Sequence, residues 1–86
     1  MKIRLLVAAP MNRFVRDLPS HLSLAEGSTI DDALGLVTEM LPNSKRLPES
    51  TFLAVSGTFL GTVKSHRSRR LRDNDELEII APASGG

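Results

Sequence analysis

None of the 86 residues is cysteine. No disulfide can support the fold and no thiol can serve as a nucleophile, and a cysteine-free chain fits the reducing cytosol. Charge of one sign is also lacking: the formal net charge is +1, so the chain as a whole carries no signature of a polyelectrolyte partner. Long apolar runs are missing, and no stretch approaches the length that spans a membrane. The opening segment superficially suggests a signal peptide. However, Arg4 interrupts it, the apolar run from Leu5 to Ala9 is shorter than an h-region, and Pro10 follows at once. A strand is the better reading, and a cytoplasmic location is the expectation. No pair of carboxylates is spaced for acid–base work, His21 and His66 have no ligand spacing around them, and Ser84 has no nucleophile context. No metal and no active site are expected within the chain.

What is present is ordinary for one small folded domain: 41% hydrophobic and 24% charged residues, with no low-complexity segment. Ile3, Leu5 and Val7 alternate with Lys2, Arg4 and Leu6, the two-residue period of a strand with one covered face. Residues 10–19 form a connection, with a turn of helix around Arg13, Phe14 and Val15. A second alternation over residues 21–25 precedes a turn at Glu26 and Gly27, so the two runs can form a loose hairpin. Ile30, Ala33, Leu34, Val37, Met40 and Leu41 then fall on one stripe of an α-helix. Ser28 or Thr29 can cap it, Asp31 and Asp32 suit the positive end of its dipole, and Pro42 stops it. After a polar loop over residues 43–50, strands are predicted at 52–55 and 59–63 around a Ser56–Gly57 turn. A last strand at 76–81 follows a tight turn at Asp73, Asn74 and Asp75.

This ββαβββ order predicts an α+β fold: a mixed sheet with one main helix on one face and the other face open. The first and last strands are the most apolar and belong in the middle. A parallel pairing offers a register in which Ile3, Leu5 and Val7 lie beside Leu77, Ile79 and Ala81 under the helix. On the open face, Lys2 would neighbour Glu76 and Arg4 would neighbour Glu78, with Leu6 beside Ile80 as an apolar pair.

The domain is read as residues 1–81, followed by a flexible tail of residues 82–86. Pro82, Ala83, Ser84, Gly85 and Gly86 have no side chain large enough to pack. A frayed terminus is the simplest reading. The chemical reading is more specific. Glycine lacks a Cβ, so a Gly-Gly end can thread a channel too narrow for other residues and present its carboxylate to a nucleotide in a partner's active site. Once adenylated, that carboxylate can accept sulfur as a thiocarboxylate or be captured by an amine.

Three stretches carry a family resemblance. Residues 71–86, with Leu71, the Asp73-Asn74-Asp75-Glu76 turn, the apolar strand and the Gly-Gly ending, resemble the C-terminal part of the MoaD/ThiS-type ubiquitin-like sulfur carriers. Residues 53–57 resemble that family's Ala-Val-Asn-Gly hairpin, and residues 29–34 resemble the start of its helix. The likeness is greatest to the small subunit of molybdopterin synthase. It implies a β-grasp fold, no enzyme activity of the chain on its own, and no bound cofactor. It also implies that an E1-like adenylyltransferase uses ATP to activate Gly86, which becomes a thiocarboxylate, and that the tail enters a large catalytic subunit that places the sulfur on a pterin precursor. Ile80 matches the position that packs on the large subunit, with Leu6 and either Phe59 or Leu60 as companions; Phe59 as a core residue is the competing reading. The chain departs from the pattern at Asn74 (a turn glycine in the family), Ala81 (the first proline) and Ile80 (an aromatic). A thiamine-pathway carrier, a protein modifier and a β-grasp interaction module that is never activated share most of these features and stay open as alternatives.

Residues 64–72 hold Lys64, Arg67, Arg69, Arg70 and Arg72 with no acid among them. Such a run reads first as a solvated loop and second as a docking surface for an acidic partner, with Arg67, Arg69 and Arg70 as its charges. It lacks an aromatic residue for stacking on bases, which argues against nucleic acid.

Overall fold

The computed structural model describes residues 1–8, 18–41 and 47–80. The expected helical turn around Phe14 and the whole tail, Pro82 to Gly86, lie outside the described residues. Among the described residues, five strands and one helix follow in the order β1 (Lys2–Ala8), β2 (His21–Ser23), α1 (Ile30–Met40), β3 (Phe52–Val55), β4 (Thr58–Thr62) and β5 (Glu76–Ile80). One mixed sheet holds all five strands in the order β2-β1-β5-β3-β4, so the two most apolar strands lie side by side inside it. β1 and β5 run parallel, and the other pairings are antiparallel.

Local chemistry accounts for the element ends. The Thr29 hydroxyl accepts from the Asp32 N–H while the Asp32 carboxylate accepts from the Thr29 N–H at 2.9 Å, a reciprocal capping box at the start of α1. At the other end Leu41 adopts φ −75° and ψ 141°, the extended conformation expected of a residue followed by proline. Ser56 and Gly57 both take positive φ (47° and 88°), which suits the two-residue turn of the β3–β4 hairpin. Asn74, with φ 71°, makes the turn before β5.

The helix covers one sheet face. Ile30, Ala33, Leu34 and Val37 are buried against Ile3, Leu5, Leu22, Leu53, Val55, Leu77 and Ile79 in a single core. Leu47, Leu60 and Leu71 complete this core from outside the predicted stripes. Burying an aliphatic side chain of this size contributes about 1.5–3 kcal/mol, so these positions dominate the stability of so small a domain.

The β1–β5 register differs from the one expected. Arg4 lies opposite Glu76, Leu6 opposite Glu78 and Ala8 opposite Ile80, two residues away from the predicted pairing. A two-residue slide keeps every side chain on its own face, so the core assignment is unaffected. The turn before β5 sets the register. The Lys2 N–H donates to the Asp73 carboxylate at 2.8 Å, the Asn74 N–H to the Lys2 carbonyl at 2.8 Å, and the Arg4 N–H to the Asp75 carbonyl at 2.9 Å. Arg4 then pairs with Glu76 at 3.6 Å, an exposed contact of little energetic weight.

Candidate functional site

The face opposite the helix carries an apolar cluster built from four strands, β1, β5, β3 and β4. Across one row the partners are Leu6, Glu78, Ala54 and Phe59; across the next they are Ala8, Ile80, Phe52 and Thr62. Leu6 is 46% exposed, Phe52 40% and Phe59 54%. The Phe52 and Phe59 rings lie 5.8 Å apart at a tilt of 55°, a favourable aromatic geometry that holds both on the surface. Leu6 and Ile80 share this face as diagonal neighbours, not as the side-by-side pair expected, because of the two-residue shift. The last strand, β5, ends at Ile80, which lies between Ala8 and Phe52 at the margin of the apolar cluster.

Of the alternative companions, Phe59 stands on the open face and Leu60 belongs to the core, only 6% exposed. Strand alternation puts the two on opposite faces, and a bulge follows. The β3–β4 register shifts between Leu53 and Ala54, so Leu53 pairs with Gly61 and Ala54 with Phe59, leaving Leu60 as the extra residue directed inward. Phe52, which the sequence reading placed in a strand without a functional role, is the additional member of the cluster.

The basic segment is a largely exposed loop that backbone hydrogen bonds anchor. The Arg67 N–H donates to the Leu60 carbonyl at 3.0 Å, and its guanidinium donates to the Phe59 carbonyl at 3.2 Å, placing this cation beside the apolar cluster. The Arg69 carbonyl accepts from the Ile30 N–H, and the Leu71 N–H donates to the Ser28 carbonyl, both at 2.8 Å. Arg67 and Arg70 are exposed, whereas Arg69 is half-buried. None of the three has a carboxylate partner among the described residues.

His66 fixes the middle of the segment. One ring nitrogen lies 2.8 Å from the Thr62 carbonyl and the other 2.8 Å from the Asp31 carboxylate. Burial of the ring, the largest single influence, lowers its pKa. The hydrogen bonds to Asp31 and Thr62, the charge of Asp31 and a hydrogen bond with the Val63 backbone together outweigh it and raise the value above the ordinary 6.5. With acceptors at both nitrogens, the imidazolium is the form that satisfies both contacts. No local pattern signals this pair, since its members are 35 residues apart. No group of three or more His, Cys, Asp or Glu able to hold a metal occurs among the described residues, and none of the described helices is long and apolar enough to cross a membrane.

Among the described residues, one helix crossing a five-stranded mixed sheet with parallel central strands defines a ubiquitin-like β-grasp protein. The same architecture is present in SAMP1 from Haloferax volcanii, whose crystal structure superimposes with a TM-score of 0.74 over 100% of both chains at 16% identity, a likeness of fold. An uncharacterized protein from Archaeoglobus fulgidus is 34% identical over 91 residues, with both chains covered in full. The family model for the ThiS family matches residues 6–86, nearly the whole chain including the Gly-Gly tail. The chain belongs to the ThiS family, and its fold is that of the MoaD/ThiS-type ubiquitin-like sulfur carriers.

Proposed function

We propose that this chain carries sulfur on the carboxylate of Gly86 and donates it in molybdopterin synthesis, as the non-catalytic small subunit of a sulfurtransferase complex. The observation that carries this reading is the family match, which runs through Gly86 on a β-grasp fold whose last strand leads into the tail. In the proposed sequence the Gly86 carboxylate attacks the α-phosphate of ATP on an E1-like adenylyltransferase and displaces pyrophosphate. Hydrosulfide, or an equivalent sulfur donor, then attacks the acyl carbon; a C–S bond forms, the acyl C–O bond of the mixed anhydride breaks and AMP leaves. The thiocarboxylate so formed would enter the large subunit through a channel that Pro82, Ala83, Ser84 and Gly85 are small enough to traverse. Leu6, Ile80, Phe52 and Phe59 would seat the domain on its partners, and the work would take place in the cytoplasm, with ATP consumed by the activator and no cofactor held by the chain.

Intact mass spectrometry tests the reading directly. Incubation with the activating enzyme, ATP and sulfide should yield a mass gain equal to sulfur replacing one oxygen, located on the C-terminal peptide. Deletion of Gly86 should abolish the gain with an unchanged circular dichroism spectrum. A persistent unmodified mass, or isopeptide adducts on other proteins without any thiocarboxylate, would sink the carrier assignment. A thiocarboxylate that a pterin-forming large subunit cannot consume would redirect it to another pathway.

A further inference from the structure

The two edges of the sheet are treated differently. Along β4, the returning chain closes the outer edge: the Thr62 N–H donates to the Ser65 carbonyl at 2.8 Å and the Arg67 N–H to the Leu60 carbonyl at 3.0 Å. Along β2 the ladder leaves backbone groups outward. The Met1 amine donates to the Leu24 carbonyl at 2.6 Å, the Leu24 N–H to the Met1 carbonyl at 2.9 Å, and the Leu5 N–H to the Ser20 carbonyl at 2.8 Å. Antiparallel pairs alternate between bonded and non-bonded, so the intervening pairs Lys2–Ser23 and Arg4–His21 are non-bonded. Lys2 and Arg4 accordingly turn their N–H groups towards Asp73 and Asp75 on the far side. His21 and Ser23 therefore present N–H and C=O to the outer edge, and no partner takes them among the described residues.

A groove of about 440 Å³ lies between this edge and α1. Leu24, Leu36 and Gly35 form its apolar floor, and Asp31, Asp32 and Glu39 line it with carboxylates. Nothing stands within 4 Å of the place a Gly35 Cβ would occupy, so the helix leaves room for a side chain from outside. Asp31 holds His66 and Asp32 caps the helix, but Glu39 has no ion-pair partner among the described residues.

From the outward backbone groups and the charge of the groove beside them, we infer that β2 accepts an extended segment of a partner protein as a sixth strand, with an aliphatic side chain over Leu24 and Leu36 and a Lys or Arg two residues to either side. The outer edge of β2, unpartnered among the described residues, supplies the main-chain hydrogen bonds of strand addition, and the groove receives alternate side chains of the added strand. Carboxylates on the groove side select cations there and disfavour acidic segments. This inference is independent of the chemistry at Gly86, and the Gly86 deletion should bind the same peptides.

The test uses the isotopically labelled full chain and two capped heptapeptides with a central valine flanked by threonines. The outer positions facing the groove are lysine in one peptide and glutamate in the other. Addition of the lysine peptide should shift the His21 and Ser23 amide resonances and slow their hydrogen exchange by about tenfold or more. The glutamate peptide should leave both unchanged. Ser23→Pro removes an N–H that β1 does not use, and should eliminate binding. Glu39→Lys, on the exposed last turn of the helix, should weaken the lysine peptide and favour the glutamate one while retaining the fold. Shifts confined to Leu6, Phe52 and Phe59, equal binding of both peptides, or His21 and Ser23 amides already protected in the free chain would each overturn the proposal.

Discussion

Gly61 shows how much can depend on one missing side chain. Its φ is +133°, and a Cβ there would run into the Ser65 carbonyl and stand 2.9 Å from the His66 Cα. The obstacle is backbone on both counts, so no rotamer change relieves it. Gly61→Ala should cost about 2–3 kcal/mol, read as a lower urea midpoint with an unchanged slope. His66, across from it, makes stability depend on pH. Its folded pKa is raised above 6.5, so the charged clamp contributes fully below the unfolded value and fades as pH rises through the folded one. The stability gap between the wild type and His66→Ala should be widest near about pH 5.5 and shrink by about pH 8.5. An equal gap at both would mean that Asp31 and Thr62 hold a neutral ring.

At the scale of elements, α1 is closed by a reciprocal device, in which Thr29 and Asp32 each satisfy the other's backbone N–H. Thr29→Ala should lower stability by about 1 kcal/mol. In a double-mutant cycle Asp32→Ala should add less in the Thr29→Ala background than alone, because one cap has already lost its partner. Chemical denaturation of the four chains checks this. The pairing of β1 with β5 has a different origin. Alternation assigns the faces of both strands, but a slide by two residues preserves those faces, and opposite charges are available in either register. The Asp73–Asn74–Asp75 turn breaks the tie by docking on the Lys2 backbone. Charge pairing along the exposed face follows from that contact and does not determine it.

For the whole molecule, the helix divides the sheet into a face that holds the fold and a face that is free to engage partners. Phe59 and Leu60, adjacent in sequence, separate these roles. Phe59→Ser should change stability by less than about 1 kcal/mol, since the ring is largely exposed, yet should weaken association with the activating enzyme proposed above. Leu60→Ala should instead cost about 2–5 kcal/mol through the cavity it leaves. Thermal unfolding combined with a binding titration distinguishes the two. If Phe59→Ser binds the activator as tightly as the wild type does, the open face is not its docking surface. Arg67, bonded to the Phe59 carbonyl, extends that face with a cation held at a fixed position.

Sequence alone determined the features written in local codes. The 3.6-residue stripe of α1, its cap, the extended residue before Pro42, and the positive-φ turns at Ser56–Gly57 and Asn74 each need only neighbouring residues to be specified. The order of elements and the open sheet face follow from them, and the Gly-Gly ending with its turn and strand was enough to point to the family. Tertiary structure decided what depends on distant segments meeting: the β1–β5 register, the β3–β4 pairing and bulge that go with Leu60 inside and Phe59 outside, the capture of His66 by Asp31, and the anchoring of a basic run that by composition reads as solvated. The physical reason is the range of the interactions. Capping, turn preference and amphipathic period act within a few residues. Register and side-chain pairing between strands are chosen only when the folded chain offers competing partners and the backbone hydrogen bonds of one arrangement are better satisfied.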